Sequence, residues 1–129
     1  MKEVILIPSY EPAEKLIDLV YNIDKEKFDI VVIDDGSGKD YKNIYNMIKN
    51  HVHLISYEPN MGKGYALKKG YSYIKDHYQN NYLVITMDSD GQHRIEDAIK
   101  LSNYIQKHPK ELVLGMRKRN GKTPLRSRI

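Results

Sequence analysis

The chain has 129 residues, of which 40% are hydrophobic, and a formal net charge of +4. This length supports one domain with a modest core, and no apolar run approaches the roughly 20 residues of a transmembrane helix. The absence of cysteine excludes disulfides and thiolate metal sites. The first residues lead directly into an apolar strand and do not have the pattern of a secretory leader. We therefore expect a cytoplasmic protein.

The positive charge is concentrated at the end of the chain. Six of the 21 basic residues follow position 116 and no acidic residue does, which leaves 15 basic and 17 acidic groups before it. Such a tail is either a solvated end or a contact for phosphates, anionic lipids or nucleic acid. Charge alone favours a solvated end, and nucleic-acid binding is not expected because the tail lacks interleaved aromatic residues. We therefore divide the chain into a folded part, residues 1–116, and a basic tail, residues 117–129.

Strand-like and helix-like segments alternate from the start of the chain. Apolar runs at residues 4–7, 29–33 and 53–57 predict the first three strands. Pro12 suits the first residue of a helix that ends near Ile23. Helical spacing predicts that its buried face consists of Ala13, Leu16, Ile17 and Val20. The buried face of a second helix, after the second strand, consists of Ile44, Met47 and Ile48.

The second half of the chain continues this alternation. Turn residues at 59–64 predict a loop, and residues 82–87 predict a fourth strand. A helix at residues 95–107 and a fifth strand at residues 111–116 follow. In the helix before the fourth strand, the predicted buried residues are Leu67, Tyr71, Ile74 and Tyr78. In the helix at residues 95–107, they are Ala98, Leu101 and Ile105. The pattern predicts an α/β fold in which a mostly parallel sheet has helices on both faces.

Three strand ends carry the candidate site. Right-handed crossovers predict the strand order 3-2-1-4, which brings residues 8–10, 34–36 and 88–90 together at one edge of the sheet. Asp88 and Asp90 follow a buried strand, and Mg2+ or Mn2+ takes such carboxylate oxygens while it holds a substrate diphosphate. We therefore predict a divalent-metal site there. For each acidic loop, helix capping is the alternative role.

Five short motifs occur in an order that is specific as a set. They are Ile7-Pro8-Ser9-Tyr10, Val32-Ile33-Asp34-Asp35-Gly36-Ser37, Asn60-Met61-Gly62-Lys63-Gly64, Met87-Asp88-Ser89-Asp90-Gly91-Gln92-His93 and Gly115-Met116-Arg117. With them the chain resembles, from Ile5 to Arg128, the N-terminal half of family 2 glycosyltransferases with the Rossmann-like GT-A fold, especially polyprenyl-phosphate sugar transferases. The resemblance implies metal-dependent, inverting transfer of a sugar from a UDP- or GDP-linked donor to a polyprenyl phosphate or a cell-envelope glycan.

The resemblance also implies roles for individual residues. Those implied to bind the donor are Pro8, Ser9, Tyr10, Glu11, Asp34, Asp35, Gly62, Lys63, Ser89, His93 and Arg117, and those implied to hold the metal and act in catalysis are Asp88 and Asp90. The pair Asp34 and Asp35 would read base and ribose, and Tyr10 offers a stacking face. Many family members have Asn-Glu after this tyrosine, whereas here Glu11 stands one position earlier. Solvent-exposed roles are the alternatives for Lys63, His93 and Arg117.

The resemblance covers only part of the family's length. The family's catalytic base and acceptor segment lie beyond the end of this chain, and Thr123 and Pro124 have the character of a helix start, so we expect a missing C-terminal part. The expected partners are that part, a nucleotide-diphospho-sugar, and a polyprenyl-phosphate or membrane-surface acceptor at the cytoplasmic face.

Two other functions stay open. One is a fragment that binds a nucleotide sugar without turnover, because the acceptor half is missing. The other is a haloacid-dehalogenase-type phosphatase, since residues 88–91 also fit its nucleophile motif. That motif normally opens its domain, however, and Gln92 stands where a threonine is usual.

Overall fold

A computed structural model describes residues 1–79, 81–91 and 95–107. In these residues, strands and helices alternate as β1 (Lys2–Ser9), α1 (Lys15–Asn22), β2 (Asp29–Asp35), α2 (Lys42–Ile48), β3 (His53–Tyr57), α3 (Lys63–Tyr78), β4 (Tyr82–Thr86) and α4 (Ile95–Lys107). A 3-10 turn, Lys39–Tyr41, leads into α2. The fifth strand predicted at residues 111–116 and the basic tail predicted at residues 117–129 lie outside the described residues.

The strands form one parallel sheet in the order β3-β2-β1-β4, which confirms the predicted order. β1 is one of the two inner strands and lies between β2 and β4, with Leu6 opposite Val31 of β2 and Thr86 of β4. Strands of a parallel sheet are covered on both faces, and β1 is accordingly apolar and buried from Val4 to Ile7. The carboxyl ends of β1, β2 and β4 therefore meet at one edge, as a doubly wound sheet requires.

Two apolar cores lie on opposite faces of the sheet. Ile5 and Ile7 of β1 pack into a cluster with side chains of α1, α2 and α4, whereas Val4 and Leu6 pack against α3. Successive side chains of a strand point to opposite faces, so one apolar run supplies both cores. The predicted α/β fold with helices on both faces is confirmed. None of the helices in the described part of the chain combines the length and apolarity needed to cross a bilayer.

Some predicted details of the helices are wrong. Pro12 does not begin α1, because Glu11 adopts a left-handed backbone with φ 46° and a turn precedes the helix, which begins at Lys15. Ala13, Met47 and Tyr71, predicted to face inward, are exposed. In α1 the predicted burial of Leu16 and Val20 is confirmed, and Leu19, which was not predicted, is buried with them. In α2 an inward position is taken by Tyr45, whose hydroxyl has partners at the sheet edge.

Gly70 determines how closely α3 approaches β1. A Cβ atom at Gly70 would overlap Cδ1 of Leu6 and lie 2.8 Å from Cδ2, and Leu6 is fully buried. We expect Gly70→Ala to lower the free energy of unfolding by about 1–3 kcal/mol, because a packed core has no room for an added methyl group. Urea denaturation measures this change. Gly64→Ala in the same helix, where a Cβ meets nothing within 4 Å, is the control, and an equal loss at both positions would contradict the packing explanation.

Candidate functional site

A cavity of about 440 Å³ opens at the carboxyl edge of the sheet. Its wall comes from the ends of β1, β2 and β4 and from the loop and first turn of α3. The lining residues are Pro8, Ser9, Tyr10, Asp35, Asn60, Gly62, Lys63, Ala66, Asp88 and Ser89. The structure thus brings together eight of the residues that the sequence singled out. Asp34, Glu11 and Asp90 do not line this cavity, and His93 and Arg117 lie outside the described residues.

A buried hydroxyl network joins the end of β1 to the end of β2. Ser9 Oγ donates to the carbonyl of Ile33 at 3.0 Å and lies 2.8 Å from the Tyr45 hydroxyl, which is also 3.1 Å from Ser37 Oγ. Burial raises the pKa of Tyr45 to about 12, so its hydroxyl is neutral at physiological pH. We conclude that Tyr45 holds the two strand-end loops together. Tyr45 was not predicted from the sequence, because tyrosine on a short amphipathic helix gives no sign of a buried partner.

The loop after β1 bends sharply at Glu11. The left-handed backbone of this residue is uncommon outside glycine, and its N–H donates to Ser37 Oγ at 2.8 Å. The bend leaves the Tyr10 side chain 49% exposed at the mouth of the cavity. The Glu11 carboxylate raises the pKa of Tyr10, first through a hydrogen bond and then through its charge. Tyr10 therefore presents a neutral aromatic face to whatever enters the cavity.

The two acidic residues at the end of β2 face different cavities. Asp35 lines the cavity described above, whereas Asp34 lines a second one, of about 470 Å³, beside α2. Adjacent strand residues point to opposite faces of a sheet, which explains the separation. Asp34 Oδ1 accepts the N–H of Ser37 at 3.0 Å, so this carboxylate also orders the loop that follows β2.

The carboxylate of Asp35 collects four hydrogen bonds. Its Oδ1 accepts from the Tyr57 hydroxyl at 2.7 Å and from the N–H of Met61 at 2.8 Å. Its Oδ2 accepts from Asn60 Nδ2 at 2.8 Å and from the N–H of Gly62 at 2.9 Å. Burial, together with the hydrogen bond to Asp35, raises the pKa of Tyr57. A buried negative charge is stabilised in this way only when donors surround it, and here the loop before α3 supplies most of them.

Two oppositely charged side chains form an ion pair where β4 ends and α3 begins. Lys63 Nζ lies 3.0 Å from Asp88 Oδ1, and the two side chains are 44% and 41% exposed. Lys63 is the first residue of α3, where unpaired backbone N–H groups favour an anion. The N–H of Gly91 donates to the carbonyl of Asp88 at 2.9 Å, which closes a tight turn and leaves Asp90 exposed beside it. The edge of the cavity therefore carries the Asp88 carboxylate and a cationic helix start, and Asp90 follows in the adjacent turn.

The donor atoms at this edge fit a hard cation that arrives with a phosphate ligand. Asp88 and Asp90 supply carboxylate oxygens, which Mg2+ prefers, and one oxygen of Asp88 is shared with Lys63. Across residues 1–79, 81–91 and 95–107, no group of three or more His, Cys, Asp or Glu residues could hold a metal ion by itself. Because Mg2+ is commonly held by one or two carboxylates together with substrate phosphates, the two aspartates suffice only if a ligand completes the set.

Comparison with known proteins identifies relatives of the chain. Residues 4–128 match the family described as Glycosyl transferase family 2. The UDP-N-acetylglucosamine–dolichyl-phosphate N-acetylglucosaminyltransferase of Methanococcus voltae is 32% identical, in an alignment that covers 92% of this chain and 53% of that protein. The chain spans about half the length of the curated relatives it matches.

Two solved structures share the fold. The mannosyltransferase PcManGT from Pyrobaculum calidifontis, in complex with GDP-Man and Mn2+, has a TM-score of 0.54 at 20% identity, over 69% of this chain and 27% of that one. TarS of S. aureus, in complex with UDP-GlcNAc, has a TM-score of 0.53 at 23% identity, over 98% of this chain and 38% of that one. At such identities the likeness shows the fold alone, and it confirms the predicted GT-A architecture.

Proposed function

The chain belongs to glycosyltransferase family 2, and we propose that it forms the donor-binding part of an enzyme that transfers a sugar from a nucleotide-diphospho-sugar. The main support for the proposal is the ion pair at the edge of the cavity, in which Lys63 Nζ lies 3.0 Å from Asp88 Oδ1. The oxygens of a diphosphate need positively charged groups close to them. A carboxylate can lie near the diphosphate only if a cation is bound between the two. The start of α3, Lys63 and Asp88 lie together at one cavity edge, and Asp90 would complete this combination from the adjacent turn.

The chain's own residues would bind and orient the leaving group. Lys63 and the N–H groups of the first turn of α3 would face the diphosphate, and Asp88 and Asp90 would hold Mg2+ or Mn2+. When bound, such an ion offsets the charge that develops on the departing nucleotide. In the inverting reaction, a bond from an acceptor oxygen to the anomeric carbon forms as the bond to the diphosphate oxygen breaks. The contribution of this half of the protein is orientation and stabilisation of the leaving group.

Residues at the ends of β1 and β2 would recognise the nucleoside. The half-exposed ring of Tyr10 is placed to stack on a base at the mouth of the cavity, with Pro8 and Ser9 beside it. His93 and Arg117 remain predicted donor contacts from the family resemblance. Glu11 would act mainly through the bend that presents Tyr10.

We place the acceptor in the class of polyprenyl phosphates. The support is the relative from Methanococcus voltae, whose name contains dolichyl phosphate as its acceptor. A lipid phosphate is already ionised, so a reaction with it needs no general base from this chain. Such an acceptor would bring the enzyme to the cytoplasmic face of a membrane, where a basic tail at residues 117–129 would be attracted to anionic lipids.

A second candidate function is binding without turnover. It is favoured by the length of the chain, which spans about half of its curated relatives. The isolated chain would then capture a nucleotide sugar and release it unchanged. The phosphatase alternative is not retained, because the match to the glycosyltransferase family runs through the acidic motif at residues 88–91.

Calorimetric titration of the purified chain with UDP and with GDP, each in Mn2+ and again in EDTA, tests the donor site. We expect saturable binding of one nucleotide in Mn2+ and its loss in EDTA. If neither nucleotide binds in the presence of the metal, the proposed donor site in this chain is wrong. Turnover of a nucleotide sugar with a polyprenyl phosphate separates the enzyme from the binding fragment.

Replacement of Lys63 by methionine is expected to affect metal and nucleotide in opposite directions. Without the ammonium group, Asp88 is free for a cation, so the affinity of the ligand-free chain for Mn2+ should rise. Affinity for the nucleoside diphosphate should fall roughly 10-fold, because a charge-assisted contact to phosphate is lost. Calorimetry with each ligand measures both changes, with Lys68→Met on the exposed side of α3 as control. A change in the same direction for both ligands would contradict this role of Lys63.

A further inference from the structure

The hydroxyl groups of Ser9, Ser37 and Tyr45 form a network in which the direction of every hydrogen bond can be assigned. Ser9 Oγ has one proton and donates it to the carbonyl of Ile33. The bond between Ser9 and Tyr45 is therefore donated by Tyr45, whose pKa of about 12 keeps it protonated at neutral pH. Tyr45 has no second proton, so Ser37 donates to Tyr45. The same Ser37 oxygen accepts the N–H of Glu11 at 2.8 Å.

The result is a single directed chain in which each hydroxyl group accepts one hydrogen bond and donates one. Its members, in order, are Glu11 N–H, Ser37 Oγ, the Tyr45 hydroxyl, Ser9 Oγ and the Ile33 carbonyl. The three residues with hydroxyl groups are buried, so loss of one member leaves its neighbours without a partner. The bonds of such a chain polarise and strengthen one another. Tyr45 is the middle member and comes from α2, outside the two loops that it connects.

The two ends of this chain hold the residues on either side of Tyr10. Ser9 is fixed by its bonds to Ile33 and Tyr45, and the backbone of Glu11 is fixed by its bond to Ser37. Glu11 has φ 46°, a conformation that a residue other than glycine keeps only when its surroundings hold it there. The Tyr10 side chain is half-exposed, so burial does not fix it. Its place at the mouth of the cavity therefore depends on the backbone of its two neighbours.

We propose that Tyr45 is a positioning residue for recognition of the donor base and that it acts through Tyr10. The Tyr45 hydroxyl sets the path of the loop after β1, and this path sets the place of the ring that stacks on the base. The inference rests on the proposed function, since it assigns a role within the same donor site. It also predicts that Tyr45 has no influence on the diphosphate end of the cavity, because the hydrogen bonds of the chain do not include Lys63 or Asp88.

Tyr45→Phe is the main test, because phenylalanine keeps the ring in the core and removes only the hydroxyl group. The ligands are UDP, GDP and inorganic pyrophosphate, each titrated with Mn2+ by calorimetry. For the nucleotide that binds the wild type, we expect affinity to fall roughly 3- to 10-fold, the loss that corresponds to one internal hydrogen bond, with pyrophosphate affinity unchanged. Unchanged nucleotide affinity, or an equal loss for nucleotide and pyrophosphate, would overturn the proposal.

Tyr78→Phe is the matched control. It also removes a tyrosine hydroxyl, one that donates to Asp29 at 2.6 Å. Asp29 is the first residue of β2, so this bond lies at the end of the sheet opposite the cavity. We expect neither affinity to change in Tyr78→Phe. A loss of nucleotide affinity equal to that of Tyr45→Phe would show that the effect is general and would contradict the positioning role.

A double-mutant cycle tests whether Tyr45 acts through Tyr10. In Tyr10→Ala the stacking ring is absent, so addition of Tyr45→Phe should cause no further loss of nucleotide affinity. If the two losses instead multiply in the double variant, Tyr45 acts independently of Tyr10 and the proposal is wrong.

A measurement without ligand separates this inference from the proposed function. Amide hydrogen exchange at Glu11 is expected to be faster in Tyr45→Phe than in the wild type and unchanged in Tyr78→Phe. Unchanged exchange in Tyr45→Phe would rule out the positioning role, whereas failure of the wild type to bind either nucleotide would overturn only the proposed function. If Tyr45→Phe does not fold, Ser37→Ala breaks the chain at the next member and should raise exchange at Glu11. No rise in that variant would also refute the proposal.

Discussion

Replacement of Asp88 by alanine is expected to lower the metal-dependent affinity for a nucleoside diphosphate by at least about 100-fold. Loss of a residue that only supports a metal ligand already costs up to about 100-fold in metal affinity, and loss of the ligand itself should cost at least as much. In the proposed donor site, Asp88 and Asp90 would hold Mg2+ or Mn2+ together with the diphosphate, so removal of one should leave too few protein ligands for the metal. Calorimetric titration in Mn2+ measures the loss. Asp90→Ala is expected to weaken binding by the same mechanism.

The fold should survive this substitution. The Asp88 side chain is 41% exposed, and its ion pair with Lys63 is of the surface type that contributes little to stability. The melting temperature of Asp88→Ala should therefore stay close to that of the wild type. Asp76→Ala removes an exposed carboxylate from α3 and is the control for a general effect of charge. Metal-dependent affinity in Asp88→Ala equal to that of the wild type would show that Asp88 is not a ligand.

Gly36→Ala is expected to lower the free energy of unfolding by about 3 kcal/mol, from the sum of backbone strain and overlap. Gly36 has φ 69°, and a Cβ there would overlap the backbone nitrogen of Asn60 and lie 2.5 Å from the carbonyl carbon of Pro59. Because these are backbone atoms, no side-chain rotation relieves the overlap. The loop before α3 would have to move away from β2, which would also break hydrogen bonds to Asp35. We therefore expect nucleotide affinity to fall together with stability.

Gly38→Ala is the matched control for this prediction. Gly38 also has a positive φ, 87°, and with ψ 179° its backbone is one that essentially only glycine adopts, but a Cβ there meets nothing within 4 Å. It should show the cost of backbone strain alone, about 1–3 kcal/mol, with nucleotide affinity unchanged. The difference between the two variants in urea denaturation then measures the close approach of the two loops. Equal losses at Gly36 and Gly38 would mean that this approach is unimportant.

Asp88 and Gly36 belong to separate layers of the same site. Asp88 lies at the exposed edge, where we expect its charge to contribute to ligand binding and hardly to folding. Gly36 lies behind the cavity, where the loop after β2 contacts the loop before α3. A loss of affinity without a loss of stability at the first position, and of both at the second, would distinguish residues that contact the ligand from those that support the cavity.

Much of the fold was predictable from local sequence patterns. The four apolar runs became β1 to β4, and the rule that crossovers are right-handed led to the order β3-β2-β1-β4. The positions of the loops at one sheet edge followed from that order. The errors at Pro12, Met47 and Tyr71 have one origin, because helical spacing alone does not define where a helix begins or which neighbouring side chain fills the core.

The sequence by itself determined the fold class, the family and most of the residues that line the cavity, because strand periodicity and short motifs are local properties. Only the tertiary structure decided which partners these residues have. Tyr45 bridges Ser9 and Ser37, and Lys63 pairs with Asp88, 25 residues away along the chain. Asp35 turned out to accept four hydrogen bonds, one from Tyr57 of β3 and three from the loop before α3. Such pairings depend on how helices pack against the sheet, and packing is set by contacts between distant segments that no local pattern contains.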